Sequence, residues 1–311
     1  MINQIVTVIV PTYNHEQFIV ECLESIKEQN YKYIELIIVD DHSNDKTVEK
    51  TDGWLSKNRE RFIKCKITVQ VENVGTTRNL NFAIQESEGT YIKFIAGDDL
   101  LCNGALTELV HFINHESNII WVCGQIIPFI SLQSEKSYLR PIPNKRSARY
   151  FQYDAKTQFK CLTIDNFVPA PGVFFQREAI KNGFDSSYRI LEDYPTWLRL
   201  TKMGHPVRLL KKPVAYWRRH SNSTSASAFG KINTQYFKDN LNAIQKLINP
   251  DLDKVDTFVR RFVKSKESYI SKQLIERGNE KYFREASRLN KLRKAIDLLW
   301  IYDSLRKLFW K

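Results

Sequence analysis

The chain has no CxxC pair, no secretion leader and no long apolar run, and each absence removes a class of function. Its five cysteines, Cys22, Cys65, Cys102, Cys123 and Cys161, are odd in number and widely scattered. That pattern argues against a disulfide framework or a zinc site and for a reducing compartment. The start, Met1-Ile2-Asn3-Gln4, lacks the basic region and apolar stretch of a signal peptide. No apolar run reaches the roughly 18 residues of a membrane span. A cytoplasmic location is therefore expected. The body of the chain also lacks an excess of positive charge. Of the formal +12, residues 258–311 hold +9, from 15 basic and 6 acidic side chains, which leaves +3 for the preceding 257 residues. A nucleic-acid enzyme more usually spreads cations along a groove in its body, so no nucleic-acid partner is expected.

What remains is ordinary globular composition, 42% hydrophobic and 26% charged, in a chain of 311 residues, long enough for one large α/β domain or two small ones. The first third alternates strand and helix patterns. Ile5–Val10, Ile34–Val39, Ile67–Val71 and Tyr91–Ala96 read as buried strands, the first ending at Pro11. Between them, residues 16–29, Asp45–Leu55 and Thr76–Glu86 read as helices. Such βα alternation implies an open, mostly parallel, Rossmann-like α/β sheet with helices on both faces. After a helix at 105–116 and a strand at Ile119–Cys123, the Pro-containing stretch 124–171 reads as irregular and partly mobile. Phe174–Arg177, a helix near 192–203 and Val207–Trp217 complete the sheet domain, and helical spacing runs from 231 onward. The organisation expected is a sheet domain in two halves, 1–105 and 106–230, followed by a helical basic extension at 231–311.

Open parallel sheets bind ligands beyond the carboxyl ends of their strands. The residues there are Pro11-Thr12-Tyr13-Asn14, Asp40-Asp41-His42-Ser43, Asn73-Val74-Gly75 and Gly97-Asp98-Asp99. Adjacent carboxylates such as Asp98 and Asp99 form a hard-oxygen site suited to Mg²⁺ or Mn²⁺. The competing reading is a solvated turn with helix-capping acids. The second acidic pair on the same edge favours the cation. Asp41 can accept hydrogen bonds from a base or ribose, and Tyr13 can stack on a base face. Asp45 reads as part of the turn and cap before the next helix.

The runs VIVPTYN (8–14), VDDHSNDKT (39–47), NVGTTRNLN (73–81), GDD (97–99) and LEDYPTWLRL (191–200) together resemble the family 2 glycosyltransferases of GT-A fold, in order and spacing over about 220 residues. The resemblance implies an inverting enzyme of bacterial surface-polysaccharide synthesis that uses a nucleotide-sugar donor, a UDP-sugar by family tendency, with the nucleotide-sugar-binding half at 1–105 and the acceptor-binding, catalytic half at 106–230. It implies base recognition by Tyr13 and Asp41, with Pro11 and Thr12 lining the same turn and Arg78 near the nucleotide. Asp98 matches a ribose or metal contact, Asp99 the principal ligand to Mn²⁺ or Mg²⁺, and Asp193 the catalytic base. Ala96 departs from the pattern, because many relatives carry a further acid there. His220 is a candidate third metal ligand, and Glu192, Trp197 and Gly172 are candidate acceptor contacts. Asp193 opens a helix, whose dipole is expected to lower its pKa and weaken it as a base.

The tail 284–311 carries an apolar stripe, Leu289, Leu292, Ile296, Leu299, Tyr302, Leu305 and Phe309, beside Arg288, Lys291, Arg293, Lys294, Arg306, Lys307 and Lys311, with Trp300 and Trp310 nearby. It reads as an amphipathic helix for an anionic membrane surface, suited to a lipid-linked saccharide acceptor and to a peripheral place at the inner face of the plasma membrane. The alternative is a stripe packed on protein. Two rival functions fit the pattern less well. A sugar-nucleotide nucleotidyltransferase needs a Gly-rich N-terminal loop with a nearby basic residue, and VIVPTYN has neither. A non-catalytic membrane- or nucleotide-binding protein has no need of Asp41, Asp98, Asp99 and Asp193 together.

Overall fold

A computed structural model describes residues 4–132, 135–220, 233–251 and parts of 265–276. The tail 284–311 lies outside the described residues, as does most of the basic extension. In the first hundred residues, strands β1 (Val6–Thr12), β2 (Ile34–Asp40), β3 (Lys64–Val69) and β4 (Tyr91–Phe94) alternate with helices α1 (Ile19–Lys27), α2 (Thr47–Asn58) and α3 (Thr76–Glu86). They form the parallel order β3-β2-β1-β4. Side chains alternate between two buried faces. Ile9, Ile37 and Val39 pack with α3, whereas Val8, Val10, Leu36 and Ile38 pack with α1 and α2. Apolar side chains are needed at nearly every position because both faces are covered.

The second half extends the same sheet through β5 (Leu100–Leu101), β6 (Trp121–Leu132), β7 (Glu135–Tyr138), β8 (Val173–Gln176) and β9 (Arg208–Arg218). Its order continues β4-β8-β6-β9-β5, with β7 on the free run of β6. The β6–β9 pair is parallel and the other new pairs are antiparallel. Helix α4 (Ala105–His115) joins the α1–α2 face, and α5 (Ala155–Leu162) and α6 (Asp193–Lys202) join the α3 face. Helix α7 (Thr234–Ala243) leads into a turn whose Ile244 and Ile248 are buried in the core beside Leu191 and Trp197. Among the described residues, no helix is long and apolar enough to cross a membrane.

Two expectations change. β1 runs through Pro11 to Thr12, because a proline at the end of the strand, past its last pairing with β4 at Ile9, gives up no ladder bond to that neighbour. The described part of 124–171 is ordered rather than irregular. It holds most of β6, the β7 hairpin arm and α5, which Asp154 caps by accepting the Thr157 N–H at 2.7 Å. Pro128 is accommodated within β6, and Pro141, Pro143, Pro169 and Pro171 lie outside the strands, so the proline count does not mark an irregular segment.

Candidate functional site

The loops that follow the parallel strands are laced into one surface. Asp41 N–H donates to the Thr12 carbonyl at 2.9 Å and Gly97 N–H to the Pro11 carbonyl at 3.0 Å. The Asn14 side chain accepts from Asn44 N–H at 2.9 Å, while Asn14 N–H donates to Ser43 Oγ at 2.8 Å. Asn14 takes this position in the left-handed region, φ 55°. Tyr13 is 42% exposed on this surface and Arg78 is exposed in the first turn of α3. Asp45 is the turn acid the pattern suggested, accepting from Glu16 N–H and from both the N–H and hydroxyl of Thr47.

Asp41 is buried, and its two carboxylate oxygens accept the N–H groups of Val74 (2.7 Å) and Gly75 (3.0 Å). Burial pushes its pKa up, against the pull of those bonds. It therefore latches the loop that leads into α3. Gly75 has φ +89°, and a Cβ there would lie 2.5 Å from Arg189 Cγ. Arg189 in turn donates to the Asn73 carbonyl (2.8 Å) and to Asn73 Oδ1 (2.7 Å). The segment that carries Glu192 and Asp193 thus rests on the loop that Asp41 closes.

Asp193 and Glu192 keep some solvent exposure, yet they are ringed by protein on every other side. Asp193 Oδ1 accepts Tyr194 N–H at 2.6 Å, and the Asn166 side chain also hydrogen-bonds to it. Its pKa is raised, not lowered as its place at the helix start suggests, because burial outweighs these bonds. Burial and then the Asp193 charge push Glu192 up to about 8. Asp193 holds the hydrogen bonds that stabilise its charge, so within the pair it is the better placed carboxylate and Glu192 the better placed acid.

At the end of β4, Asp98 Oδ2 lies 2.9 Å from His220 Nε2 and 3.9 Å from His15 Nε2. Burial alone would raise Asp98, but the hydrogen bond to His220 and the nearby His15 hold it below the usual carboxylate range. Asp99 is fully buried. Its burial, then the Asp98 charge, push it well above that range, although Oδ1 accepts Arg218 N–H at 2.8 Å. Two adjacent carboxylates, one kept from ionising by the other, with an imidazole in reach, suit a divalent cation that would let both ionise. Among the described residues no three His, Cys, Asp or Glu side chains form a ready cage. Diphosphate and water oxygens would have to complete the shell. Gly97 is required here by space, since a Cβ would come within 2.9 Å of both His15 Nδ1 and Thr12 Oγ1.

Two candidate acceptor residues are corrected. Trp197 is a core aromatic, 2% exposed and stacked on Trp121 (5.0 Å) and Phe175 (5.8 Å), so it offers no wall to a cleft. Gly172 is buried against β6, where a Cβ would meet the Gly124 carbonyl at 2.4 Å, so packing explains the glycine. Sequence reasoning missed His15, Arg218 and Lys93. Lys93 is 0% exposed and donates to the carbonyls of Phe94 (2.7 Å) and Pro171 (2.6 Å), with burial lowering its pKa to about 8. A charge inside the apolar run YIKFIA was the signal available for it.

A family model described as glycosyl transferase family 2 matches residues 7–184. The chain is 26% identical over 243 residues to the minor teichoic acid biosynthesis protein GgaB of Bacillus subtilis, 77% of this chain but only 26% of GgaB. It is 25% identical over 231 residues to the Escherichia coli UDP-Glc:alpha-D-GlcNAc-diphosphoundecaprenol beta-1,3-glucosyltransferase WfaP, 74% of this chain and 83% of WfaP. In fold it resembles S. aureus TarS 1–349 in complex with UDP-GlcNAc, with a TM-score of 0.57 and 18% identity over 88% of this chain and 74% of that one. It also resembles the mannosyltransferase PcManGT from Pyrobaculum calidifontis in complex with GDP-Man and Mn²⁺, with a TM-score of 0.58 and 16% identity over 99% of this chain and 88% of that one.

Proposed function

The chain belongs to glycosyl transferase family 2 and has the GT-A fold, and from that premise we propose that it moves a sugar, with inversion, from a UDP-sugar to a saccharide hydroxyl in bacterial surface-polysaccharide synthesis. One observation carries the reading: the acids at the end of β4 and the opening acids of α6 have opposite tasks available to them. Asp98 and Asp99, with His220, would hold Mn²⁺ or Mg²⁺. Such a cation, once bound, neutralises charge on the departing diphosphate. Asp193, whose raised pKa makes it a stronger base, takes the acceptor proton as that oxygen attacks the anomeric carbon and the bond to the diphosphate breaks. Glu192, still protonated near neutrality, is an available hydrogen-bond donor to the acceptor.

Tyr13, Pro11, Thr12, Asp41 and Arg78 supply the nucleotide side. The solved structure with UDP-GlcNAc supports UDP as the nucleotide, and the one with Mn²⁺ supports a metal. WfaP, by its name, acts on a diphosphoundecaprenol-linked sugar, which favours a lipid-linked acceptor here. The division at 105 and 230, and membrane attachment through 284–311 at the inner face, belong to the same reading. The test is UDP release from a panel of UDP-sugars with Mn²⁺ added or chelated. Asp99→Ala is expected to abolish the metal-dependent transfer, and Asp193→Asn to cut kcat at least 100-fold or so with donor binding kept. Undiminished transfer by Asp99→Ala in chelator would falsify the metal assignment. Near-normal turnover by Asp193→Asn would remove that residue as the base.

A further inference from the structure

We propose that Arg218 is a positioning residue that sets the Asp98–Asp99 turn for cation-assisted diphosphate binding, a proposal that rests on the metal reading above. Arg218 ends β9 and is 3% exposed. It lies beyond residues 7–184, where the family model matches. Its guanidinium lies between two rings, with Phe18 at 4.7 Å and Phe129 at 4.6 Å. Within that slot Nε donates to the Asp98 carbonyl at 2.7 Å, one terminal nitrogen donates to Ser131 Oγ at 2.6 Å, and the other pairs with the Glu21 carboxylate. Its own backbone N–H holds Asp99 Oδ1 at 2.8 Å.

These contacts tie four elements to one turn. Glu21 belongs to α1 and also pairs with Lys136 of β7, Ser131 belongs to β6, and residues 98–99 follow β4. Two residues past Arg218, His220 reaches Asp98 Oδ2. The end of β9 thus touches the acidic turn three times, through a main-chain N–H, a guanidinium and an imidazole. Arg218 is the member that fixes the register of the other two, because its side chain is anchored on Phe18 and Glu21 on one side of the turn and on Phe129 and Ser131 on the other. Enclosed between rings, it is not available as a clamp on phosphate. A lysine cannot replace it, since a single ammonium cannot reproduce a planar fork aimed at three partners.

The experiment is calorimetric titration of UDP into the full chain, with and without Mn²⁺, for the wild type, Arg218→Lys and Glu21→Gln, with thermal melting of each. In the wild type Mn²⁺ should tighten UDP binding. Arg218→Lys should lose about tenfold or more of that metal-linked gain, the size seen when groups behind metal ligands are removed. Its metal-free UDP affinity should stay within about twofold, because Tyr13 and Asp41 are untouched. Glu21→Gln, a half-exposed site that leaves the turn intact, should lose part of the gain. A role in folding alone would lower the melting temperature and weaken UDP equally in both buffers. An unchanged metal-linked gain in folded Arg218→Lys overturns the proposal. Should Arg218→Lys not fold, the same result in Glu21→Gln overturns it. A wild type with no metal-linked gain sinks the metal reading itself, and the proposal with it.

Discussion

Replacing Glu192 by glutamine should stabilise this protein at alkaline pH and leave it nearly unchanged at acid pH. Burial, then the Asp193 charge, lift Glu192 from its ordinary 4.5 to about 8. At about 1.4 kcal/mol per unit, an increase of that size corresponds to at most ~5 kcal/mol. Residual solvent contact and the coupling to Asp193 reduce the usable part to roughly 2–4 kcal/mol. The direction follows from linkage. A group whose folded pKa is raised favours the fold fully below its unfolded value, and that contribution is lost as pH climbs through the folded value. The loss therefore falls between about pH 4.5 and pH 8. Glutamine keeps the shape and cannot ionise. Melting followed by circular dichroism from pH 5 to pH 9 should show the variant ahead by roughly 5–10 °C at the upper end, at 2–4 °C per kcal/mol, and level at the lower end. A constant difference across the range would mean that Glu192 ionises freely and that the two carboxylates are not divided into acid and base.

Gly97→Ala should fold but lower kcat/KM for the donor about 10- to 100-fold, because its methyl group must displace Thr12 or the His15 ring, which lies 3.9 Å from Asp98; steady-state kinetics that match the wild type would show that the pocket yields without cost. Thr7→Val should destabilise the fold by about 2–4 kcal/mol in urea titration, since it strips Glu35 Oε2 of a 2.5 Å bond and leaves the buried Gly89 N–H without its acceptor. A loss under about 0.5 kcal/mol would mean that another group takes over. Deleting 284–311 should cut co-sedimentation with anionic liposomes severalfold, as several cations at about 1 kcal/mol each imply; equal sedimentation would assign the stripe to protein packing.

Much of the architecture was legible because buried parallel strands announce themselves. IELIIV is apolar on both faces apart from Glu35, whose Oε2 accepts from Thr7 and the Glu88 N–H while Lys64 Nζ lies 3.8 Å from Oε1. The Thr76–Glu86 helix agrees at both ends. The acidic edge could be read for the same reason, since ligand loops follow strand ends and the motifs lie there in order. What escaped was long-range. Nothing local in WRRH tells which arginine turns inward, for that depends on Phe18 and Glu21, about two hundred residues earlier. Trp197 looked like a cleft wall because one turn of helix separates it from Asp193. The rotation of α6 instead directs it onto Trp121 and Phe175. Periodicity gives the face of a helix but not what that face meets.

Helix α7 carries a consequence for anyone who recombines these enzymes. Asp239, buried on that helix, accepts Ile190 N–H at 2.8 Å, three residues before Asp193, and Ile244 and Ile248 beyond it pack beside Leu191. The strand-to-helix segment bearing the acids is therefore braced from a part of the chain that a boundary at residue 230 would discard. Chimaeras that exchange acceptor halves should be joined after Ile248, so that each loop travels with its own brace.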